Sequence, residues 1–390
     1  MRKLASVQKI GKIIPIPNKD RIAQAMVNGW SVIVGKDQFR EGDLCVFFEI
    51  DSLLPECNTL ANILKRGKRL KTLRMAGVLS QGLAMNIVEA KCISAELGTK
   101  FPTNIEIDMD LTDVLKITKW EEGTEDGLKD NKKEKVKSLG IVNFIKKLFG
   151  VKEQTNAFPS QYGVSKTDEE RVENPLAQAG EWSNLGLEFE RTMKMDGQST
   201  TWIIEKTGLF STKFKHIMAS RNRTIIESSD DYERFTNVAK TTGIFLFLEG
   251  LYWLLSANDF GGNNELAKVL INSDIKSIAV QAELCGPKIQ KNRIGLDSNT
   301  LYIFNLIIKT NKGVYKFNPH KVISIDLPNI KLVPDLGKTK IGKNIQWFYD
   351  DVSQFKYPTN GLAEGVVYRN YERGISFKCV NPDYLIKNNA

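Results

Sequence analysis

One stretch of the sequence divides the chain into two parts because it has almost no apolar surface to bury. Residues 121–137, EEGTEDGLKDNKKEKVK, are nearly all charged or polar, a composition typical of solvated linkers. The chain has 390 residues, 42% of them hydrophobic, and a single hydrophobic core rarely serves a chain of this length. We therefore expect two globular domains joined by this linker.

The segment after the charged stretch sets the expected boundary of the second domain. Residues 141–152, IVNFIKKLFGVK, have a short, basic, amphipathic pattern. This pattern predicts a linker helix packed against one of the domains, and docking on a membrane surface is the alternative. We predict an N-terminal domain at 1–118, a charged linker with this helix at 119–155 and a C-terminal domain at 156–390.

The N-terminal part consists of short alternating segments separated by Gly, Pro, Asn and Asp. The segments GWSVIVGKDQF (29–39) and GDLCVFFEID (42–51) are predicted strands, and VLSQGL (78–83) is a predicted turn or loop. This pattern suits an OB-fold, a small β-barrel that often binds nucleic acid. Short strands alone also fit a β-sandwich.

The C-terminal part mixes helical and strand patterns. Helices are predicted at 231–257 and 263–273, and strands at 277–284, 301–310, 364–369 and 374–380. Strands predominate near the polar motifs, which favours antiparallel sheets. The predicted fold class is therefore α+β, with an N-terminal OB-type β-barrel followed by an antiparallel-sheet domain.

Cysteine and histidine usage narrows the chemistry. The five cysteines are far apart, form no CxxC pair and are odd in number, which argues against a disulfide framework and a zinc site. His216 and His320 are the two histidines, so chemistry built on several histidines is disfavoured. Lysine is the reactive base that the chain carries in quantity.

Hydropathy predicts no membrane segment. The most apolar run, residues 243–257, is shorter than the roughly 20 residues a spanning helix needs and contains Glu249. The N-terminus has no apolar core of signal-peptide length. We therefore expect a soluble intracellular protein, with the cytoplasm favoured over the nucleus or an organelle.

The charge of the chain suggests a polyanionic partner. The formal net charge is +9, and residues 64–74, LKRGKRLKTLR, concentrate six lysines and arginines. Such a cluster gains affinity for nucleic acid by releasing counterions from phosphates. A mildly basic solvated surface is the alternative.

The segment RTMKMDGQST (191–200) contains a candidate nucleophile. In an extended chain Lys194 and Asp196 project to the same face, so an amine and a carboxylate share one wall. Gly197 lets a ligand or a strand approach the backbone closely. Lysine has a pKa near ~10.4, so a nucleophilic Lys194 requires desolvation or neighbouring cations. The alternative is that Lys194 is an ordinary lysine at a strand edge, because a pattern as short as KMDG (194–197) also occurs by chance.

Two further segments carry polar groups suited to a nucleotide. Arg221 and Asn222 of SRN (220–222) can bind phosphate or ribose, or cap a helix. In QAELCGPKIQKNR (281–293) the strand pattern places Gln281, Glu283 and Cys285 on one face. A buried Glu283 needs a hydroxyl, a cation or a metal as partner, whereas an exposed one needs none.

The last two candidate segments are strands. Phe304 in LYIFNLII (301–308) can stack on a base or belong to the core. EGVVYRNYERGISFKCV (364–380) predicts a hairpin. If Arg369 faces Ile375, Val366 lies opposite Lys378 and Tyr368 opposite Ser376, and Glu364 shares a face with Lys378.

In this order, the patterns KMDG, SRN, AELCGP, FN, EGVV and SFK resemble the nucleotidyltransferase motifs of the covalent ligase and capping-enzyme superfamily. GPKIQKNR after the central glutamate resembles RNA ligases in particular. KTDEERVEN (166–174), the N-terminal GW, GD and EIDS patterns and LKTLRMAGVLSQGL (70–83) resemble the fifth RNA ligase family. In that family an OB domain precedes the catalytic domain.

The resemblance implies an ATP-dependent RNA ligase. Lys194 is then the nucleophile that forms lysyl-AMP, from which AMP passes to an RNA 5′-phosphate before a 3′-hydroxyl expels it. The implied cofactors are ATP and Mg²⁺ or Mn²⁺, and Asp196, Glu283 and Glu364 hold the metal through water. The resemblance also implies residues that bind the nucleotide. Arg221 and Asn222 bind ribose or phosphate, Glu283 binds the ribose, and Phe304 stacks on adenine. Lys378 binds the α-phosphate, Ser199 contacts the adenylate, and Arg171 binds the adenylate or the RNA.

One position departs from the family pattern. Related ligases often carry two lysines spaced KxK in the last motif, whereas Ser376 occupies the first of these positions here. Neutralisation of the phosphate must then come from Lys378 alone or from another residue.

The implied partner is RNA or an RNA-containing duplex, with nick sealing in RNA repair as the expected task and a monomer as the expected state. Loss of the OB domain is expected to impair end joining more than lysine adenylylation. An ATP-dependent DNA ligase and a capping guanylyltransferase are the enzymatic alternatives, although their OB domain usually follows the catalytic one. A nucleic-acid-binding protein on an inactive ligase scaffold is the alternative without catalysis, and the intact Lys194, Asp196, Glu283 and Glu364 oppose it.

Overall fold

The computed structural model describes residues 3–120, 156–208, 213–257, 264–325, 327–359 and 361–388. The charged stretch at 121–137 and the predicted linker helix at 141–152 lie outside these residues. Of the described residues, 3–120, 169–194 and 336–388 form one compact unit, and 156–168 and 195–335 form a second. We call them unit 1 and unit 2.

Unit 1 begins with the β-rich N-terminal region and returns in two later segments. Its strands are β1 Ala5–Pro15, β2 Ile22–Val27, β3 Trp30–Gly35, β4 Leu44–Phe48, β5 Ser52–Leu53, β6 Thr72–Met75, β7 Val78–Gln81, β8 Leu83–Asn86, β9 Thr118–Lys119, β10 Glu170–Arg171, β11 Glu188–Lys194, β19 Asp335–Lys340, β20 Gly365–Asn370 and β21 Ile375–Val380. Its helices are α1 Ala61–Leu64, α2 Ile87–Glu96, α3 Leu176–Asn184, α7 Ile345–Ser353 and α8 Pro382–Asn388.

Unit 2 contains the longest strands of the chain. They are β12 Gln198–Lys206, β13 Phe214–Ser220, β14 Thr224–Ile225, β15 Ile275–Cys285, β16 Thr300–Thr310, β17 Val314–Phe317 and β18 Ile330–Leu332. The helices are α4 Tyr232–Thr242, α5 Ile244–Ser256 and α6 Asn264–Leu270.

The N-terminal region forms a five-stranded sheet in the order β3-β2-β1-β4-β8. Strand β1 pairs with β4 through Ala5–Lys9 and with β2 beyond Ile10, where the register shifts. Such an irregularity bends a strand and lets β1 serve both parts of the sheet. The predicted strands at 29–39 and 42–51 are confirmed as β3 and β4, which cover Trp30–Gly35 and Leu44–Phe48. The prediction of a turn at 78–83 is wrong, because these residues belong to β7 and β8.

Unit 2 is built on the sheet β14-β13-β12-β15-β16-β17, with β18 beside β16. One face packs on α4 to α6 around Trp202, Phe235 and Leu248, which are all fully buried. The predicted long helix at 231–257 is two helices, because Gly243 adopts φ 72° and ends α4, a conformation that favours glycine. Among the described residues no single helix is long and apolar enough to cross a membrane, although α4 and α5, bent by 57°, together reach that length and composition.

The second sheet of unit 1 has the order β10-β21-β20-β11-β19. Its buried face, which includes Phe189, Tyr368 and Phe377, packs on α3 and α7. The predicted α+β class with antiparallel sheets is confirmed, with parallel pairs at β10–β21 and β16–β18.

The boundaries of the two compact units differ from those of the domains predicted from the sequence. Residues 169–194 and 336–388 lie in the same unit as the N-terminal sheet, and Val380 and Leu385 pack in one cluster with Trp30 and Phe47. The domain boundaries at 118 and 156 therefore stay a prediction.

Candidate active site

Lys194 is the last residue of β11, and its side chain meets a carboxylate from a distant part of the chain. Its Nζ lies 2.6 Å from Oε2 of Glu364, and the two side chains are 22% and 17% exposed. The hydroxyl of buried Tyr357 joins their backbones, because it donates to the Lys194 carbonyl at 2.9 Å and accepts from the Glu364 N–H at 3.1 Å. Glu364 and Tyr357, which come from a distant part of the chain, thus hold the candidate nucleophile Lys194 in place.

The register of β11, β20 and β21 determines which residues share the face of Lys194. Lys194 lies opposite Gly365, Thr192 opposite Val367, and Val367 opposite Lys378. Because directly opposed residues project to the same face, Lys378 lies on the face that carries Lys194. Gly365 permits the close pairing, since a Cβ there would lie 2.1 Å from the Cys379 carbonyl oxygen.

The hairpin register predicted from the sequence is wrong by one residue. Arg369 lies opposite Ser376 instead of Ile375, and Lys378 lies opposite Val367 instead of Val366. The physical reason is burial: the observed register turns Tyr368, Phe377 and Cys379 into the core. Val366 is in the same buried cluster, on the face opposite Lys378.

Ser376, at the position where related ligases carry a lysine, belongs to a buried polar network. Oε1 of Glu169 accepts from Ser376 Oγ at 3.1 Å and from Arg369 Nη2 at 2.9 Å, and Arg369 Nη1 donates to Thr192 at 3.0 Å. A cation from the neighbouring strand therefore lies beside Ser376. Burial, opposed by Arg369, raises the pKa of nearby Tyr371 to about 12, so this phenol is neutral at physiological pH.

Arg171, predicted to bind the adenylate or RNA, is buried in unit 1. It lies beside Lys378 in the parallel pairing of β10 and β21. Its guanidinium is 3.6 Å from Asp51 and stacks 5.8 Å from the Trp30 ring, both from the N-terminal region. Nε and Nη1 are buried without a hydrogen-bond partner among the described residues.

Asp196 lies in unit 2, after the strand of Lys194 has ended. Because β11 stops at Lys194, the alternation that would place Asp196 on the same face does not extend to it. Its Oδ2 accepts from Arg293 Nη1 at 2.7 Å. A Cβ on Gly197 would lie 2.4 Å from the Leu284 carbonyl oxygen and 2.9 Å from Glu283 Cγ. The predicted close approach at Gly197 is confirmed.

Ser199 and Glu283 are directly opposed on β12 and β15 and therefore share a face. Ser199 is buried, and its Oγ lies 2.6 Å from Thr167 Oγ1. Tyr302 on β16 lies opposite Glu283 from the other side, and burial, with a smaller contribution from Cys285, raises the pKa of this phenol. Half-buried Glu283 thus lies in a row of neutral hydroxyl groups.

Phe304 occupies an irregular position in β16. Gln281 pairs with Asn305 and Ala282 with Ile303, so Phe304 is the extra residue between them. Bulges of this kind redirect a side chain and are frequent at active sites. Phe304 is half-buried, and its role in stacking on a base stays a prediction.

Arg221 and Asn222 lie in the turn between β13 and β14. The turn is closed by a 2.9 Å hydrogen bond from the Ser220 N–H to the Arg223 carbonyl, and both predicted side chains are half-exposed. No described helix begins at this turn, so the alternative role as a helix cap is wrong.

The sequence predicts that Asp196, Glu283 and Glu364 hold a metal through water. In the described part of the chain, no three His, Cys, Asp or Glu side chains lie close enough together to ligate a metal. Gly197, by lacking a Cβ, lets the turn that carries Asp196 lie against the side chain of Glu283. Oxygen donors that leave most positions to water match the preference of Mg²⁺.

Several residues of the site escaped the sequence motifs. Thr167, Arg293 and Tyr357 make hydrogen bonds to Ser199, Asp196 and Lys194. Glu169 accepts hydrogen bonds from Ser376 and Arg369. Thr167 and Glu169 lie within KTDEERVEN and Arg293 ends GPKIQKNR, so the motif segments themselves were the available signal. Nothing in the local sequence marks Tyr357.

Sequence comparison identifies the class of protein. The RNA ligase family matches residues 187–385, and an OB-fold domain family matches residues 4–87. The chain belongs to the RNA ligase family. The OB-fold domain ahead of the ligase region confirms the predicted resemblance to the fifth RNA ligase family. Curated protein sequences give no significant match.

Solved structures of the Naegleria gruberi RNA ligase resemble this chain over nearly the full length of both. The complex of that ligase with pyrophosphate has 25% sequence identity, covers 100% of this chain and 99% of that chain, and has a TM-score of 0.70. A point mutant with ATP and manganese has 25% identity, covers 100% of both chains and has a TM-score of 0.70. A second mutant with AMP and manganese has 25% identity, coverage of 100% and 99%, and a TM-score of 0.69.

Proposed function

We propose that the protein is an ATP-dependent RNA ligase that joins RNA 3′-hydroxyl and 5′-phosphate ends through lysyl-AMP and RNA-adenylate. The observation that carries the proposal is Lys194, held at the end of β11 with Nζ 2.6 Å from Glu364 and on the sheet face of Lys378. The Naegleria ligase structures hold ATP, AMP and pyrophosphate, which are the nucleotide donor, the transferred group and the leaving group of such a reaction.

In the first step Nζ of Lys194 attacks the α-phosphorus of ATP. A P–N bond forms, the bond from the α-phosphorus to the bridging oxygen breaks, and pyrophosphate leaves. Lys194 must lose a proton before it can attack, because the ammonium has no lone pair. Its ion pair with Glu364 stabilises the ammonium, so the attack requires that the proton pass from Nζ to the Glu364 carboxylate or to solvent.

The other residues bind and orient the nucleotide. Lys378 neutralises the α-phosphate, Phe304 stacks on adenine, and Glu283 accepts from the ribose hydroxyls. Arg221 and Asn222 bind ribose or phosphate from the β13–β14 turn, Ser199 contacts the adenylate, and Arg171 binds the adenylate or the RNA strand. Phosphoryl transfer of this kind depends on position and charge neutralisation.

The proposed metal is Mg²⁺ or Mn²⁺, held through water by Asp196, Glu283 and Glu364. When bound, it supplies positive charge that offsets the phosphate oxygens and favours the unprotonated lysine. We further propose that RNA or an RNA-containing duplex with a nick is the substrate, that the protein acts as a monomer in RNA repair, and that it works in the cytoplasm.

Retention of label on the denatured protein tests the first step. The protein is incubated with α-labelled ATP or GTP and Mg²⁺ or Mn²⁺, denatured and resolved. Label from ATP but not GTP, and none with Lys194→Ala, is the expected result. Label from GTP favours a capping guanylyltransferase, and no label from either nucleotide favours a binding protein on an inactive scaffold.

Sealing of defined nicks tests the substrate. Duplexes carry a 5′-phosphate and either a ribose or a deoxyribose at the 3′-hydroxyl side of the nick. We expect faster sealing with the ribose end, because the proposal assigns RNA ends to this enzyme. Equal sealing of both duplexes contradicts an RNA requirement and favours a DNA ligase.

A further inference from the structure

The loop after β15 is unusually strained. Lys288, Gln290 and Asn292 have φ of 64°, 49° and 44°, which lie in the left-handed region. Residues with side chains adopt this region at a cost, and it persists where the surroundings impose it, often at functional sites. The three residues lie in GPKIQKNR, the segment that ends at Arg293.

Packing and hydrogen bonds hold this loop in place. Ile289 and Ile294 are buried at 4% and 1% exposure. Asn292 donates from Nδ2 to the Leu296 carbonyl at 2.9 Å and accepts from the Leu296 N–H at 3.1 Å. The loop therefore presents Arg293 from a fixed backbone instead of a mobile one.

The fixed loop contacts the KMDG segment at two points. Arg293 Nη1 lies 2.7 Å from Asp196 Oδ2, with the two side chains 15% and 12% exposed. Gln290 Nε2 donates to the Gly197 carbonyl at 3.2 Å. A nearly buried carboxylate and guanidinium interact more strongly than an exposed pair, since water screens them less.

We propose that Arg293 is a positioning residue for Asp196 that also sets the metal requirement of the enzyme. Its planar guanidinium fixes the orientation of the carboxylate that holds metal-bound water, and its positive charge weakens the attraction of that carboxylate for a divalent cation. Arg293 thus gives the Asp196 carboxylate a defined orientation and lowers its affinity for the metal. This inference rests on the proposed function.

Two substitutions separate the two effects. Arg293→Lys keeps the charge and loses the fork, whereas Arg293→Met loses both. At saturating Mn²⁺ both variants are expected to form lysyl-AMP at least about tenfold more slowly, because Asp196 is no longer oriented. Only Arg293→Met is expected to bind the metal more tightly, on the order of tenfold.

Metal binding is measured without turnover. Each substitution is placed in a Lys194→Ala background, which cannot form lysyl-AMP, and ATP binding is titrated by calorimetry over a series of Mn²⁺ concentrations. Lys276→Met, which removes an exposed partner of Asp274 at 3.7 Å, is the matched control and is expected to change neither quantity. Melting temperatures of all variants are measured alongside.

The outcomes are distinct. Tighter metal binding in Arg293→Met, unchanged metal binding in Arg293→Lys and slower adenylylation in both support the inference. Unchanged or weaker metal binding in Arg293→Met overturns it, as does a rate loss that merely follows a lowered melting temperature. If Lys194→Ala alone binds no ATP at any Mn²⁺ concentration although it melts cooperatively, the proposed function fails, and the inference fails with it.

Discussion

At the level of single residues, Lys194 pairs with an acid that its neighbours in sequence do not reveal. Asp196 is two positions away, but the carboxylate at 2.6 Å is Glu364, and Asp196 is engaged by Arg293. The difference matters because an acid beside the amine stabilises the ammonium. Glu364, which stabilises the protonated form of Lys194, is therefore also one of the carboxylates that are proposed to hold the metal.

Tyr357 tests how far the position of Lys194 depends on one hydroxyl group. Tyr357→Phe removes the hydrogen bonds to the Lys194 carbonyl and from the Glu364 N–H. We expect a loss of about 1–3 kcal/mol in the free energy of unfolding, since buried backbone groups lose partners, and slower lysyl-AMP formation. Urea unfolding and single-turnover labelling measure these changes. Tyr315→Phe on β17 is the control, and an unchanged rate in Tyr357→Phe contradicts the assigned role.

Cysteine reactivity tests the burial of the two five-stranded sheets of unit 1. Burial raises the pKa of the Cys45 thiol to about 12 and that of Cys379 well above its ordinary value, whereas Cys92 is exposed. Because the thiolate is the reactive form, a raised pKa leaves little of it at pH 8. We expect iodoacetamide at pH 8 to modify Cys92 first and to reach Cys45 and Cys379 only after unfolding. Peptide mass spectrometry identifies which cysteines are modified at each time. Equal early labelling of Cys45 and Cys92 contradicts the buried position of Cys45.

At the level of elements, the β20–β21 hairpin shows how burial selects a register. The sequence alone is compatible with Arg369 facing Ile375, but the observed register is the one that turns Tyr368 and Phe377 into the core. A shift of one residue exchanges the two faces of a strand. Lys378 consequently lies on the face of Lys194, and Arg369 lies beside Ser376.

Two glycines give a matched test of element packing. A Cβ on Gly365 would lie 2.1 Å from a backbone oxygen, whereas a Cβ on Gly250 in α5 meets nothing within 4 Å. We expect Gly365→Ala to cost about 1–3 kcal/mol of unfolding free energy through steric overlap and to slow adenylylation. Gly250→Ala should add about 0.5–1 kcal/mol because alanine favours helix. Urea unfolding measures both, and equal effects of the two substitutions would falsify the assigned packing.

The pair formed by Arg369 and Glu169 tests the network around Ser376. The side chains are 5% and 15% exposed and 2.9 Å apart. Removing one partner of such a pair leaves a buried charge, so Arg369→Gln is expected to cost about 3–5 kcal/mol. Ser376→Ala should cost about 1 kcal/mol, because it removes a single hydrogen bond. In chemical denaturation, Glu169→Gln combined with Arg369→Gln should recover part of the loss, and strictly additive losses speak against a coupled pair.

At the level of the whole molecule, the N-terminal sheet and the strand of Lys194 belong to one compact unit. Trp30 donates to Asn174 at 2.7 Å, Tyr349 donates to Gln81 at 3.0 Å, and Leu385 packs in the cluster of Trp30. Glu173 is fully buried among these contacts, and burial raises its pKa. The OB-fold domain thus packs against elements next to the sheet that contains β11, the strand of the candidate nucleophile.

Disruption of this packing should affect the first chemical step. Trp30→Ala is expected to cost about 3–5 kcal/mol of unfolding free energy and to lower lysyl-AMP formation. Trp253→Ala, at a position 45% exposed, should cost less and should leave lysyl-AMP formation unchanged. Removal of residues 1–118 should abolish both adenylylation and end joining, in contrast to the expectation from the sequence that end joining suffers more. Full lysyl-AMP formation by a chain that lacks 1–118 would show that the packing has no such role.

The sequence by itself determined the α+β class, the identity and order of the motif residues, and the resemblance that leads to the RNA ligase family. These follow from local alternation, glycine positions and side-chain chemistry, which are properties of short segments. Only the tertiary structure decided that Lys194 pairs with Glu364, that Asp196 pairs with Arg293, that Lys378 shares the face of Lys194, and that the OB-fold domain packs in one unit with the sheet of Lys194 and Lys378. Each of these depends on which distant segments bury their apolar faces against each other, and no local pattern specifies that choice.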